Sequence, residues 1–322
     1  MGEALISKRR HIGLKVESTK GTYTAPDTTS CAIHAYDIQA STEFGRFDRD
    51  TQKAYLSKLP GIVGTKKATI SFKCEVRHTN NTTTLDVWER ALQGCGFLLS
   101  TSTLKPTSNQ DAQVTLSIVV ALGSSGASGG SVLFKASGCA GNVSFSGKVG
   151  EPLIATFTFT GIYEGVVDGS LEVPTMEVGL PAIFQGVSFS YGGGSRILST
   201  LTFDMGNSVV LRESVNAASG YAHALIADRR PTGTIDPDLE LVATDDFYGA
   251  MVANTSKAIS WAVTTGANGG TARTQTFTLA DCRVTNVADS NRNGIQVAGV
   301  SFEIVDTLDS TTPDGDVAIV IS

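Results

Sequence analysis

The chain has 322 residues, 25 basic and 31 acidic for a formal net charge of −6, with 34 glycines and only 17% charged residues. A length about twice that of a typical domain points to two units, and a Gly-, Ser- and Thr-rich composition points to short strands and turns instead of coiled coil, collagen or disorder. The acid excess argues against wrapping nucleic acid with the general surface, and no apolar run approaches the roughly 18 residues of a membrane span.

At the start, Lys8-Arg9-Arg10 follows a short apolar stretch instead of preceding one, so neither membrane insertion nor secretion is expected. From Ile33 to Val76 the chain reads as strand, long polar excursion, strand. The excursion, roughly Ser41 to Ala68, holds Phe44, Phe47, Tyr55, Leu56, Leu59, Ile62 and Val63, too much apolar surface to leave in water. It is also basic, with Arg46, Arg49, Lys53, Lys58, Lys66 and Lys67. Thr84, ahead of Leu85-Asp86-Val87-Trp88, is a candidate helix N-cap with acid in the first turn, and Gly94 or Gly96 ends that helix.

Gly123 to Ser131 reads as a flexible loop, and without a following Gly-Lys-Ser/Thr it is not a phosphate cradle. Two strands joined by a turn at Gly150 come next, with Ala155, Phe157 and Phe159 at period two. Gly161 to Pro181 carries a connector signature of glycines and prolines, with apolar residues that suit packing. Leu198 to Leu241 then repeats strand, excursion (Gly206 to Gly233), strand. On Thr234 to Val242, Ile235, Leu239 and Leu241 alternate with Asp236, Asp238 and Glu240, placing the acids on the face away from the core, although Pro237 signals an edge or a bulge. Thr244 precedes a second short helix, and a second hairpin turns at Asn293-Gly294.

These parallels form an internal repeat. Phe134, Cys139, Ala155 and Phe159 recur as Phe277, Cys282, Ala298 and Phe302 at an offset of 143, and an Asn-Val pair follows each cysteine. The strand-excursion-strand units match at an offset of 165, Ile38 meeting Phe203 and Ile70 meeting Ile235. The division expected is a first unit over 1–165, a linker over 166–181 and a second unit over 182–322, each a β-sandwich or barrel-like unit with one short flanking helix and a long inter-strand loop.

No catalytic or cofactor constellation accompanies this frame. Cys31, Cys74, Cys95, Cys139 and Cys282 are odd in number and lack a Cys-x-x-Cys pair, which reads as reduced thiols and not as disulfides or zinc ligands. His11, His34, His78 and His223 are scattered. Asp289-Ser290-Asn291-Arg292-Asn293-Gly294 opens like a calcium loop, but Val300 stands where the bidentate glutamate is needed. Asp236, Asp238 and Glu240 fit a solvated stripe better than a metal site. A carbohydrate-binding or adhesin-like sandwich is the alternative, yet it calls for an aromatic platform, and Trp88 and Trp261 stand apart.

The stretch Gly13 to Tyr23 through Ala25-Pro26 resembles the opening of the tail tube (major tail) proteins of long-tailed bacteriophages. So do Phe203-Asp204-Met205-Gly206-Asn207 with Arg212, Asn216 and Gly220, then Asp228-Arg229-Arg230-Pro231-Thr232-Gly233-Thr234-Ile235. Asn291 to Ile295 resembles the family's late hairpin, with Asn293 departing from its usual aspartate. The resemblance implies a structural virion protein, not an enzyme, that self-assembles in the host cytoplasm into stacked rings forming a hollow tail tube. Its partners would be itself, the tape measure protein, and tail terminator and tip proteins, with DNA only in transit. Rings of this family are sixfold or pseudo-sixfold, so a chain with two tube units would close one with three copies. The long loops would reach the adjacent ring, through Phe44, Arg46, Phe47, Arg49, Tyr55, Leu56 and Leu59 in the first and Arg212, Tyr221, Arg229 and Arg230 in the second. Long strands would line the lumen, bringing Ser71, Lys73, Glu75 and Arg77 from the first unit and the acids Asp236, Asp238 and Glu240 from the second.

Overall fold

A computed structural model describes residues 4–78, 85–124, 130–170, 176, 180–265, 272–306 and 314–322. The first half runs β1 (His11–Val16), β2 (Ala35–Phe47), β3 (Ile62–Glu75), α1 (Val87–Gly94), β4 (Phe97–Ser100), β5 (Thr103–Pro106), β6 (Leu116–Ser124), β7 (Ser131–Lys148) and β8 (Ile154–Gly169). The second runs β9 (Ser190–Tyr191), β10 (Leu198–Asp204), β11 (Asn207–Glu213), β12 (Tyr221–Arg229), β13 (Thr232–Pro237), α2 (Phe247–Val252), β14 (Ser256–Thr264), β15 (Thr274–Arg292), β16 (Ile295–Ile304) and β17 (Val317–Ile321). The protein is therefore mainly β, of the sandwich class. Parts of two expected loops, 125–129 within Gly123–Ser131 and 171–175 and 177–179 within the connector, lie outside the described residues.

Among the described residues, fifteen strands form one antiparallel sheet, and β11 and β12 form a separate pair. Pairing repeats in order: β1-β6-β7-β8-β3-β2 in the first half, β9-β14-β15-β16-β13-β10 in the second. The two sets join where β10 pairs with the end of β7, Phe203 opposite Phe145 and Leu201 opposite Gly147. β7 and β15 are long enough to serve two neighbours on one side: β7 pairs first with β6 and then with β10. The register also refines the repeat. Phe157 and Val300, 143 apart, pair with Phe72 and Ile235, so β3 and β13 correspond at an offset of 163, not 165. β2 and β10 then match as well, each with a register shift at the same point.

Alternation explains the layers. In β3, Ala68, Ile70, Phe72 and Cys74 are buried while Thr69, Ser71, Lys73 and Glu75 take the other face. The buried set belongs to one core that crosses the halves: Phe145 stacks on Phe203 at 5.9 Å and meets Phe277 edge-on at 5.3 Å, and Trp261 stacks on Phe277 at 4.9 Å. Such aromatic contacts add roughly 0.5–1.5 kcal/mol each beyond area burial. Trp88 and Trp261 are both buried, so neither forms an exposed aromatic platform.

Four local expectations change. The first excursion carries the strands onward: β2 and β3 stay paired out to Phe47 and Ile62, leaving 48–61 as the tip of an arm. The second is a hairpin of its own, β11–β12. Thr84 lies outside the described residues, and the helix caps are Asp86, whose N–H donates to Glu89 Oε2 at 2.9 Å, and Asp246, which accepts from the Gly249 N–H at 2.6 Å in place of Thr244. A carboxylate at the N-terminus suits the helix dipole as well as the free amides. The strand expected to reach Val242 stops at Pro237, which removes a donor from the ladder, and Leu239 and Leu241 are exposed instead of facing the core.

Candidate assembly surfaces

The face of the sheet turned away from the core is polar across both halves. One row of directly paired residues runs Glu75, Ile154, Ser146, Thr202, Thr234, Ser301 and Asn286; the next runs Lys73, Thr156, Ser144, Asp204, Thr232, Glu303 and Arg283. Hydroxyls dominate, and the Oγ1 atoms of Thr202 and Thr234 lie 2.6 Å apart.

Charges around this face are mostly paired. Lys73 meets Asp37 at 2.8 Å, while Glu75 accepts from both Tyr36 and Arg77. The bond to Glu75 is the largest cause pushing the Tyr36 phenol up to about 12. Arg77 is itself buried. Asp236 receives the Ser199 and Thr200 amides at 2.8 and 2.6 Å and Arg292 at 3.0 Å, and the same guanidinium holds Asp238. Partial burial alone would raise the Asp236 pKa; the Ser199 and Thr200 bonds and Arg292 outweigh it and hold the carboxyl below its ordinary value. Glu240 is exposed beyond the end of β13. The expected acidic stripe is thus largely neutralised by one arginine from the turn of the late hairpin, which Asn293 and Gly294 make with positive φ as their sequence predicts.

The first arm projects past β8. Phe47 is 70% and Tyr55 65% exposed, Leu56 is fully exposed, and Phe44, Ile62 and Val63 are exposed beside them. Phe44 touches Tyr163 edge-on at 5.3 Å, Leu59 is half-buried, and Arg46 and Arg49 are exposed.

The second arm behaves differently. It bends at Gly206, whose φ of +60° and closeness to the Arg230 carbonyl exclude a side chain, and folds back over the first half. Asn207 Nδ2 donates to the Cys95 and Gly141 carbonyls at 2.9 and 3.0 Å, and its N–H donates to Asn142 Oδ1 at 2.9 Å. His223 lies against Gly138, Ile226 against Gly96, and the tip accepts the Lys66 N–H on Ser219 O at 3.0 Å. Beneath it, buried Glu17 gathers the Gly21 and Gly138 amides at 2.7 Å each, with the Thr115 and Ser117 hydroxyls at 2.5 and 2.7 Å.

Of the second-arm residues singled out by sequence, Tyr221 is half-buried in this contact. Arg229 bridges Asp314 and Asp316 at 3.1 Å each, and Arg212 and Arg230 are exposed, Arg230 pairing with Asp228 at 2.9 Å. Sequence reasoning placed Glu17 and Asn207 inside quoted motifs but gave neither a role. The repeated Asn-Val pair was a usable signal for Asn142, which bonds Asp204 at 2.7 Å as well as Asn207.

An extended antiparallel sheet with a hydroxyl-rich face and an exposed apolar arm is the frame of this mainly β protein. The family model for phage tail tube protein matches residues 7–305, and the chain belongs to that family, a component of the virion tail. Comparison with proteins of curated function returned no match.

Proposed function

We propose that this chain is a non-enzymatic tube subunit that self-assembles into stacked rings, three copies per ring. Each copy would contribute two tube units, 1–165 and 182–322, joined by 166–181. The observation that carries this reading is the sheet itself, in which the same six-strand order occurs twice and the polar face passes unbroken through the β7–β10 joint. Two equivalent units per chain make three copies enough for a pseudo-sixfold ring.

The hydroxyl face, including Ser71, Lys73 and Glu75, is the proposed lumen wall. Duplex DNA binds proteins chiefly through cations on its phosphates, and a wall of Ser and Thr with internally paired charges offers few. DNA and the tape measure protein would pass without sticking, with Asp236 and Asp238 serving to anchor Arg292 more than to repel phosphate. Tail terminator and tip proteins would close the ends, and assembly would take place in the host cytoplasm. Negative-stain microscopy of purified protein at high concentration should give rings or tubes. A reconstruction should then count three chains per ring; six would overturn the stoichiometry, and dispersed monomers the tube reading.

A further inference from the structure

The second arm is held mainly at its roots. Among the described residues β11 and β12 pair only with each other, outside the main sheet. One root is Asn207, just after the bend at Gly206, and the other is Arg229, gripped by Asp314 and Asp316. Between the roots, one hydrogen bond joins the arm to the rest of the chain among the described residues, from the Lys66 N–H to Ser219 O at 3.0 Å. Under the middle of the arm lies a cavity of about 420 Å³, lined by Lys20, Asp111, Thr115, Ala140, Arg212 and His223.

His223 stands at the centre of this loose contact. Its backbone and Cβ press on Gly138, where an added side chain would come within 3.0 Å of the His223 Cα. Across the hairpin it is paired directly with Arg212, and opposed residues of a ladder share one face. From the loop beneath comes Lys20, whose Nζ donates to the Gln110 carbonyl. Neither cation has an acid partner among the described residues. β7 meets the ring with Gly138 and Ala140, which carry no charge, and the oxygens of Glu17 are already taken by two amides and two hydroxyls. Asp111, the remaining acid at the cavity, is exposed, where water and salt weaken its pull.

We propose that the second arm is an acid-opened strap, with His223 as its proton-sensitive catch. Neutral His223 leaves two cations around the cavity; an imidazolium adds a third, directly opposite Arg212 and beside Lys20. Burial is the largest cause holding the His223 pKa below its ordinary value, followed by Lys20 and Arg212, with Glu17 offsetting part. Swinging the arm away returns the ring to water and leaves Lys20 behind, while Arg212 travels with it. The docked arm therefore binds the proton more weakly than the open one, so docking is at full strength above about pH 6.5 and weakens as pH falls below that value. Gly206, already at a φ of +60°, supplies the pivot. Opening uncovers the Gly138 segment of β7, so acidity sets whether one arm or both stand free.

The test uses the full-length chain and amide exchange followed by mass spectrometry, with labelling times scaled for the intrinsic rate. Between about pH 7.5 and about pH 5.5, protection of β11 and β12 relative to β15 is expected to fall about fivefold. It should fall less in Lys20→Gln and stay constant in His223→Gln. An unchanged ratio in the wild type, or a drop that persists in His223→Gln, would overturn the proposal. Should His223→Gln fail to dock the arm at the higher pH, the wild type decides: its His223 imidazole signal, assigned as the one lost in the variant, must titrate below the ordinary histidine value, and titration at or above about 6.5 would overturn the strap.

Discussion

The two arms grow from equivalent strand pairs, β2–β3 and β10–β13, yet only the second is closed onto its own chain. The difference lies in what stands beside each pair. β10 neighbours β7 of the same chain, so an arm bent at Gly206 finds a ready surface, tied by Asn207 and underlaid by Glu17. β2 is the edge of the sheet among the described residues, and beyond its contacts with Tyr163 and Ser219 its arm stands uncovered in a single copy. Equivalent sequence positions therefore acquire different surface properties: largely half-buried and polar-bonded at the root in one arm, apolar and exposed in the other. Exposed apolar surface of this extent marks a place where another chain docks.

The sharpest way to break the comparison is to remove the uncovered arm's tip. Replacing residues 48–60 with a two-residue turn should leave the circular dichroism and thermal transition of the free chain nearly unchanged, because the tip lies outside the core, while assembly is abolished to monomers. Discrete unstacked rings on the grid would instead assign the arm to contact between rings, and normal tubes would deny it any role. The complementary change loosens the closed arm from below. Glu17→Ala leaves two buried amides and two hydroxyls without their acceptor and should cost about 3–5 kcal/mol, read from the urea midpoint at unchanged slope.

A milder change detaches only the arm's root. Asn207→Ala should cost roughly 1–2 kcal/mol, with faster amide exchange in β11 and β12 than in β15; equal exchange in all three would mean the arm is not a separate opening unit. The smallest effect is acid sensitivity. Asp236 and Asp314 sit below the ordinary carboxylate range: burial raises each, but bonds from Ser199 and Thr200 in one case and Ser108 in the other, with Arg292 and Arg229, prevail. Groups lowered on folding stabilise above their unfolded pKa, so this contribution is lost as pH falls below about 4. Asp316, raised chiefly by burial, works in the opposite sense and offsets part of it. Thermal scans should show a gradual fall below pH 4, and Asp236→Asn should flatten it.

Much of this was readable from residues alone because it depends on short-range rules. Period-two alternation marks Ile70, Phe72 and Cys74 as core, since neighbouring side chains on a strand must face opposite ways. Asn293-Gly294 fixes the late hairpin, since the turn needs positive φ at both positions. The repeat of Cys139 in Cys282, each with its Asn-Val pair, reports that the halves share one plan. Tertiary structure alone decided the rest. The offset of 163 in place of 165 follows from which strands hydrogen-bond, a relation that spacing along the chain does not encode. Asp236 and Asp238 look like a free acidic stripe until the late hairpin swings Arg292 onto them from 56 and 54 residues away. The fates of the arms depend on which strand lies next to each in space: β10 meets β7 within the chain, and beyond β3 no strand among the described residues meets β2.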